Sequence, residues 1–302
     1  MKLEDFQIEL RQLPGAMPVW SGRVDARQWR TACRQVRDKG GRLVALWGAD
    51  NGDRAEGFVV SAALTVQSGL LVIALPLEGA SFPDVSDIFP AANRMQRSVY
   101  DLFGVSAENP SDSRKWLRHG AWPENAFPLR KSFDGRQTFL NAEDGYPFVQ
   151  VGGEGVHEIP VGPVHAGTIE PGHFRFSIVG EGILRLEERL GYKHKGIEKR
   201  FESMTLAEGA RLAGRVSGDS TVAYAWAYAM AVEGVTSVSP PPRALWLRAL
   251  LLERERVANH LGDLGFLGND AALTFGLAQF LRLKEDWSRT HHALFGHRYL
   301  MD

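Results

Sequence analysis

The chain has 302 residues, 44% of them hydrophobic, and its 36 acidic side chains nearly cancel 35 basic ones. That is enough apolar material for two packed domains, and the near-zero balance excludes a bulk field that would draw nucleic acid or an anionic membrane surface. The single cysteine, Cys33, excludes an internal disulfide, and the start "MKLEDFQIEL" has neither an apolar signal core nor an Arg-rich transit pattern, so the expected location is cytoplasmic.

After an extended start, Asp25 is placed to cap a helix over Ala26–Asp38 with Gly40 as its stop, and "RLVALWG" reads as a strand. Gly57 to Leu77 carries no charge and is long enough to cross a bilayer. The Ser68-Gly69 turn signal, the β-branched residues on both sides and the interspersed Ser, Thr and Gln predict two strands joined by a tight turn instead. A further helix, capped near Ser86 or Asp87, leads to "SVYDLFGV" and closes an α+β domain over 1–107. Residues 108–147, polar and irregular with Pro110, Pro123, Pro128 and aromatic anchors, read as a docked linker.

From 148 to 302 the glycines and short alternating runs of "VQVGGEGVHEIPVGPVHAGTIEPGHFRFSIVGEGILRLEE" predict a small antiparallel sheet, and helices take over afterwards. One short helix covers Met204–Gly214. A nearly uncharged one covers Ser220–Gly234 and is expected to be buried on all sides. Pro242 starts a helix to about Leu261, and an amphipathic helix spans Leu273–Phe295.

Three constellations carry potential chemistry. In "RVSGDS", Ser217 and Ser220 bracket Gly218 and Asp219 at a metal-ligand spacing. A serine hydroxyl stays neutral and cannot replace a thiolate on nickel or low-valent iron, so the plain reading is helix entry with Asp219 or Ser220 as N-cap. His165 and His173 bracket the Gly-Pro-rich loop "GPVHAGTIEPGHFRF", where backbone can approach a ligand and an imidazole can move a proton; the alternative is turn stabilisation. Glu253, Arg256 and His260 share one helix stripe, as an ion pair or a proton relay. The nine histidines form no compact zinc pattern, and "VGGEG" lacks the strand, spacing and helix of a dinucleotide loop.

The first domain, with "VYDLFGV" and "WPENAFPLRKSF", resembles the small peripheral-arm subunit of respiratory complex I. The rest, with "GPVHAGTIEPGHFRF", "LGYKHKGIEK", "RVSGDS" and "PPRALWLRALLLERERVANHLGD", is similar to the large subunit of membrane-bound NiFe hydrogenases and its complex I relative. The fusion in this order resembles the large subunit of formate hydrogenlyase-type, energy-converting complexes. The resemblance implies cysteines at the positions of Ser217 and Ser220, holding a nickel-iron centre, so that this chain keeps the frame and binds no metal or other redox cofactor itself. The family's second cysteine pair falls beyond the motif at which this chain stops.

In complex I the same cavity takes quinone beside a tyrosine and a histidine; the resemblance puts Gly218 at the tyrosine position and His173 at the histidine. What it implies as a whole is a core peripheral-arm subunit of an NADH:quinone oxidoreductase-like complex, whose work involves NAD and quinone. It would sit on the inner face of the plasma membrane, docked to an iron-sulfur subunit and through it to ion-translocating membrane subunits. The alternatives are a scaffold with no substrate and quinone reduction in the vacant cavity. The loop with Arg175 and the "RVSGDS" turn with Arg215 are expected to form the iron-sulfur interface, and Gly218 is expected to lie in a packed turn that tolerates no bulk.

Overall fold

Asp25 does begin a helix: the Gln28 N–H donates to Asp25 Oδ1 (2.7 Å) and the Asp25 N–H to Gln28 Oε1 (3.1 Å), a reciprocal capping box ahead of α1 (Ala26–Asp38). The computed structural model containing it describes residues 6–15, 17–54, 57–142, 145–165 and 169–301. The chain clusters into two compact units, the first up to Lys199 and the second from Arg200, with Pro14 and Gly15 grouped in the second.

The first unit is built on a five-stranded sheet of β1 (Arg11–Leu13), β2 (Val19–Arg23), β3 (Leu43–Asp50), β4 (Phe58–Val66) and β5 (Gly69–Pro76), in the order β1-β2-β5-β4-β3. Only the β2–β5 pair is parallel. The charge-free run is the β4–β5 hairpin. Gly69 is required at its turn twice over, by φ +132° and because a Cβ there would meet the Pro18 carbonyl oxygen at 2.1 Å. Val59 to Leu64 of β4 are all buried, so both faces of the central strand are covered. Trp29, Cys33 and Val36 of α1 enter this core fully buried, and burial pushes the Cys33 thiol up to about 12.

The helix expected to start near Ser86 or Asp87 starts later, as α2 (Ala92–Phe103), and has no side-chain cap. The two candidate caps are spent elsewhere: Ser86 Oγ donates to Asp84 Oδ2 (2.9 Å), and Asp87 receives Arg30 of α1 (2.7 Å). α2 closes on β3, where a Cβ on Gly48 would lie 3.0 Å from Phe103. Beyond it, β6 (Ser81–Pro83) pairs in parallel with β7 (Ser106–Glu108).

The irregular segment after β7 is tied down by buried polar groups. Asp101 Oδ2 accepts the N–H groups of Trp116 and Leu117 (2.7 Å each), and Arg97 donates to the Lys115 carbonyl (3.1 Å) and to Tyr146 Oη (2.9 Å). Trp116, Arg118 and Leu129 are buried, whereas the side chain of Arg136 is 95% exposed. Limited trypsin digestion is therefore expected to cut first at Lys131 and Arg136 and to spare Arg114, Lys115 and Arg118. Mass spectrometry of the early fragments checks this, and early cleavage at Arg114 or Lys115 would mean that the segment is a tether.

An antiparallel three-stranded sheet follows, with β8 (Val156–Val161), β9 (His173–Val179) and β10 (Gly182–Arg189) in the order β10-β9-β8. It clusters with the first unit, so the division between compact units lies at Lys199/Arg200, whereas the sequence segmentation puts one at 147/148. The reason is Glu187 of β10, 8% exposed, which accepts Arg114 Nη1 (3.0 Å) and the Val149 N–H (2.8 Å).

After α3 (Ile197–Phe201) the second unit is helical: α4 (Leu206–Ala213), α5 (Thr221–Thr236), α6 (Pro242–Asp270) and α7 (Thr274–Phe295). α6 begins at Pro242 as expected but runs nine residues past Leu261. Gly262, Gly265 and Gly268 do not stop it. They form one stripe buried against α7, where Leu281 lies 3.4 Å from a Cβ on Gly265 and the Leu277 nitrogen 3.2 Å from one on Gly268. α5 departs from expectation in another way: only Thr221 and Val222 are buried, and Tyr224 and Val235 are 45% and 87% exposed. Its lack of charge reflects an apolar surface that the described residues leave open.

Candidate functional site

Both hydroxyls of the Arg215–Ser220 turn, between α4 and α5, are engaged. Ser217 Oγ donates to Asp219 Oδ1 (2.5 Å) and Ser220 Oγ to the same oxygen (3.2 Å). The Ser217 bond first, then the Ser220 bond, hold the Asp219 carboxyl below the usual carboxylate range against the opposing effect of burial. Asn259 Nδ2 of α6 donates to the Asp219 carbonyl (2.6 Å) and pins the backbone of the turn.

Ser220 takes the N-cap position of α5, yet its side chain makes no capping bond. The cap arrives from α6. Glu255 Oε2 accepts the Val222 N–H (2.5 Å) and Oε1 the Ala223 N–H (3.1 Å), satisfying donors that the helix itself leaves orphaned. Glu255 is 8% exposed, and burial pushes its carboxyl up, opposed by the two N–H groups and reinforced by the charge of Asp219. The sequence stripe on α6 is different: Glu253 and Arg256 form an exposed ion pair (3.1 Å), and His260 is exposed. Glu255 was missed because a glutamate in "LLERERVANH" looks like its solvated neighbours. The one available signal was an α5 entry without a certain local acceptor.

Beside Glu255, between α6 and α7, lies a cavity of about 380 Å³, lined in part by Gly218, Asp219, Lys284, Ser288 and His291 and by residues 298–301. His291 is 1% exposed. Its Nδ1 lies 3.0 Å from the Arg298 carbonyl, an acceptor only, so Nδ1 carries the proton and the buried Nε2 is left without a partner. Burial, with the charge of Arg254, holds this imidazole below its ordinary range. A Cβ on Gly218 would meet nothing within 4 Å, so the turn is open there, contrary to the packed turn expected.

The Gly-Pro-rich loop belongs to the first unit and the turn to the second. Ala166, Gly167 and Thr168 of the loop lie outside the described residues. His165 meets Phe174 edge to face (5.4 Å between ring centres) and His173 packs against Phe148 (5.2 Å), with its Nε2 buried and unpartnered. Arg175 pairs with Glu158 (3.2 Å) inside the sheet and stacks over Phe148, and Arg215 donates to the Arg211 carbonyl (3.0 Å). Both arginines are thus engaged within the chain.

Among the described residues no three of His, Cys, Asp and Glu are grouped to hold a metal ion. The groups at 217 and 220 are neutral hydroxyls turned onto a carboxylate, and Cys33 is buried within α1 of the first unit, so the described residues of this turn supply no thiolate and do not fit a nickel-iron centre.

Over 270 residues the chain is 34% identical to formate hydrogenlyase subunit 5 of Escherichia coli (strain K12), covering 86% of this chain and 48% of that protein. Hydrogenase-4 component G of the same organism is 34% identical over 269 residues, covering 85% and 48%. The C/D component of the NADH-quinone oxidoreductase of Phocaeicola vulgatus is 29% identical over 202 residues, covering 61% and 38%. The chain spans about half the length, or less, of these relatives. Within the first unit, residues 23–139 match the family of the respiratory-chain NADH dehydrogenase 30 Kd subunit.

Proposed function

We propose that this chain is a core peripheral-arm subunit of a hydrogenase-related, NADH:quinone oxidoreductase-like complex, and that it carries no nickel-iron site. The relatives support the assembly. The observation that supports the loss of the metal is the turn itself, where Ser217 and Ser220 both donate to Asp219 and offer no anionic donor. No described helix is long and apolar enough to cross a membrane. In this reading the chain is peripheral on the cytoplasmic face, and partner subunits make the membrane association. The expected partner is an iron-sulfur subunit that holds the cluster.

The chain binds no redox cofactor directly in this reading. Its own residues shape the frame: Glu255 holds the entry of α5, and Asn259 with the two serines fixes Asp219 at the mouth of the cavity. The second reading, reduction of a quinone in the cavity, is favoured by one observation, the open space at Gly218.

Coexpression with an iron-sulfur small subunit from the same genome, followed by elemental analysis of the copurified complex, tests the proposal. The expected result is copurification, iron from the partner's cluster, no stoichiometric nickel and no hydrogen evolution. Nickel near one per chain, retained through chelation, would overturn the metal-free reading. Failure to copurify would overturn the assembly.

A further inference from the structure

Past α7 the chain doubles back. It turns at Gly296, where φ is +83° and the N–H donates to the His292 carbonyl (2.9 Å), and residues 298–301 then form one wall of the cavity between α6 and α7. Two side chains of α7 hold that wall. At the rim, Glu285 takes Arg298 in a bidentate pair (3.0 and 2.5 Å), but the two side chains are 35% and 45% exposed, so water screens the pair and it holds weakly. Inside, the Arg298 carbonyl accepts the Nδ1 proton of His291, whose ring is fully buried and meets Trp287 edge to face (5.8 Å between ring centres).

This arrangement suits a neutral imidazole. A second proton would sit on Nε2, which is buried and has no acceptor among the described residues. The nearest charge acting on the ring has the wrong sign to help: Arg254 of α6 stacks 4.2 Å from the centre of the same Trp287 ring. The other charged groups around the cavity are engaged or also cationic. Asp219 takes two serine hydroxyls, Glu255 takes the N–H groups of α5, Glu285 takes Arg289 and Arg298, and Lys284 of α7 adds a further positive charge. We propose that His291 is an acid-sensitive latch: neutral, it holds residues 298–301 against α7, and protonated, it releases them and opens that side of the cavity. A charged imidazole must reach water, and the wall, held by two side chains, gives way before either helix does. Burial first, then Arg254, sets the sign, by holding the ring below its ordinary range. The latch is fully closed above the value of the released ring, about 6.5, and its contribution is lost as the pH falls below that towards the lower value of the closed form.

Every contact in the latch lies within the chain, and its action is independent of the metal-free reading. Hydrogen–deuterium exchange of the full chain, read by mass spectrometry on peptides covering 292–301 and corrected for the intrinsic pH dependence of exchange, tests it. The expected result is a loss of protection of about tenfold or more between pH 8 and pH 5 in that segment, with β4 and β5 unchanged. His291→Asn can donate to the same carbonyl and cannot be protonated, so it is expected to keep the segment equally protected at both values. Because it leaves Glu255 in place, that variant also separates the two titrations. Arg254→Met removes the facing charge and keeps an apolar stem on Trp287, and is expected to shrink the loss. Protection indifferent to pH, or a loss that persists in His291→Asn, would overturn the proposal. So would an undiminished loss in Arg254→Met, which decides alone if the asparagine variant does not fold.

Discussion

Glu255→Ala is expected to lower the stability of the helical unit by roughly 2–4 kcal/mol, because it strips the acceptors from two N–H groups at the buried start of α5. Chemical denaturation followed by circular dichroism measures it. Glu255→Gln keeps one oxygen and should cost less, with an effect that depends on pH. The sign follows from the raised carboxyl. Protonated Glu255 favours the fold below the unfolded-chain value, about 4.3, and that contribution is lost as the pH rises through the higher folded value. The stability of the unaltered chain relative to Glu255→Gln is thus expected to fall as the pH is raised above about 4.3. A difference that stays constant from acidic to neutral pH would show that the carboxyl is not held above its ordinary range.

Asp101→Ala carries the second large effect. Asp101 is 2% exposed, and its one bonded oxygen serves two backbone donors in the segment after β7. Removing it leaves the Trp116 and Leu117 N–H groups without an acceptor beside a buried tryptophan, at a cost of roughly 2–4 kcal/mol. The loss should be local before it is global. Trypsin is expected to reach Arg114 and Lys115 in Asp101→Ala under conditions that leave them intact in the unaltered chain. Unchanged cleavage with unchanged stability would mean that the apolar contacts of Trp116 and Leu129 hold the segment without the carboxylate.

The elements that sequence reasoning located well are those written in local chemistry. Asp25 with Gln28, the Ser68-Gly69 turn between β-branched runs and Pro242 at the first turn of α6 each specify backbone through neighbours three or fewer residues away. The errors lie where a distant partner decides. Asp87 looked like a cap until Arg30, 57 residues away, claimed it, and the helix expected to end near Leu261 runs on because Gly262, Gly265 and Gly268 pack on α7. The candidate site divides in the same way. The turn at 217–220 was legible from its spacing, but Glu255 answers to Val222, 33 residues away, and no pattern within either segment announces that bond. A nearly uncharged run such as α5 says that a surface is apolar, and leaves open whether this chain covers it.

Because Glu255 reaches across from another helix to hold the start of α5, the turn before that helix is relieved of a task that its composition suits. The entry of the helix and the side chains of the turn are thereby held by different residues. Exchanging the side chains at 217 and 220 between hydroxyl and thiol forfeits two hydrogen bonds to Asp219 and leaves the helix entry intact. A frame built this way lets the side chains at 217 and 220 vary without first having to rebuild the start of the helix that follows.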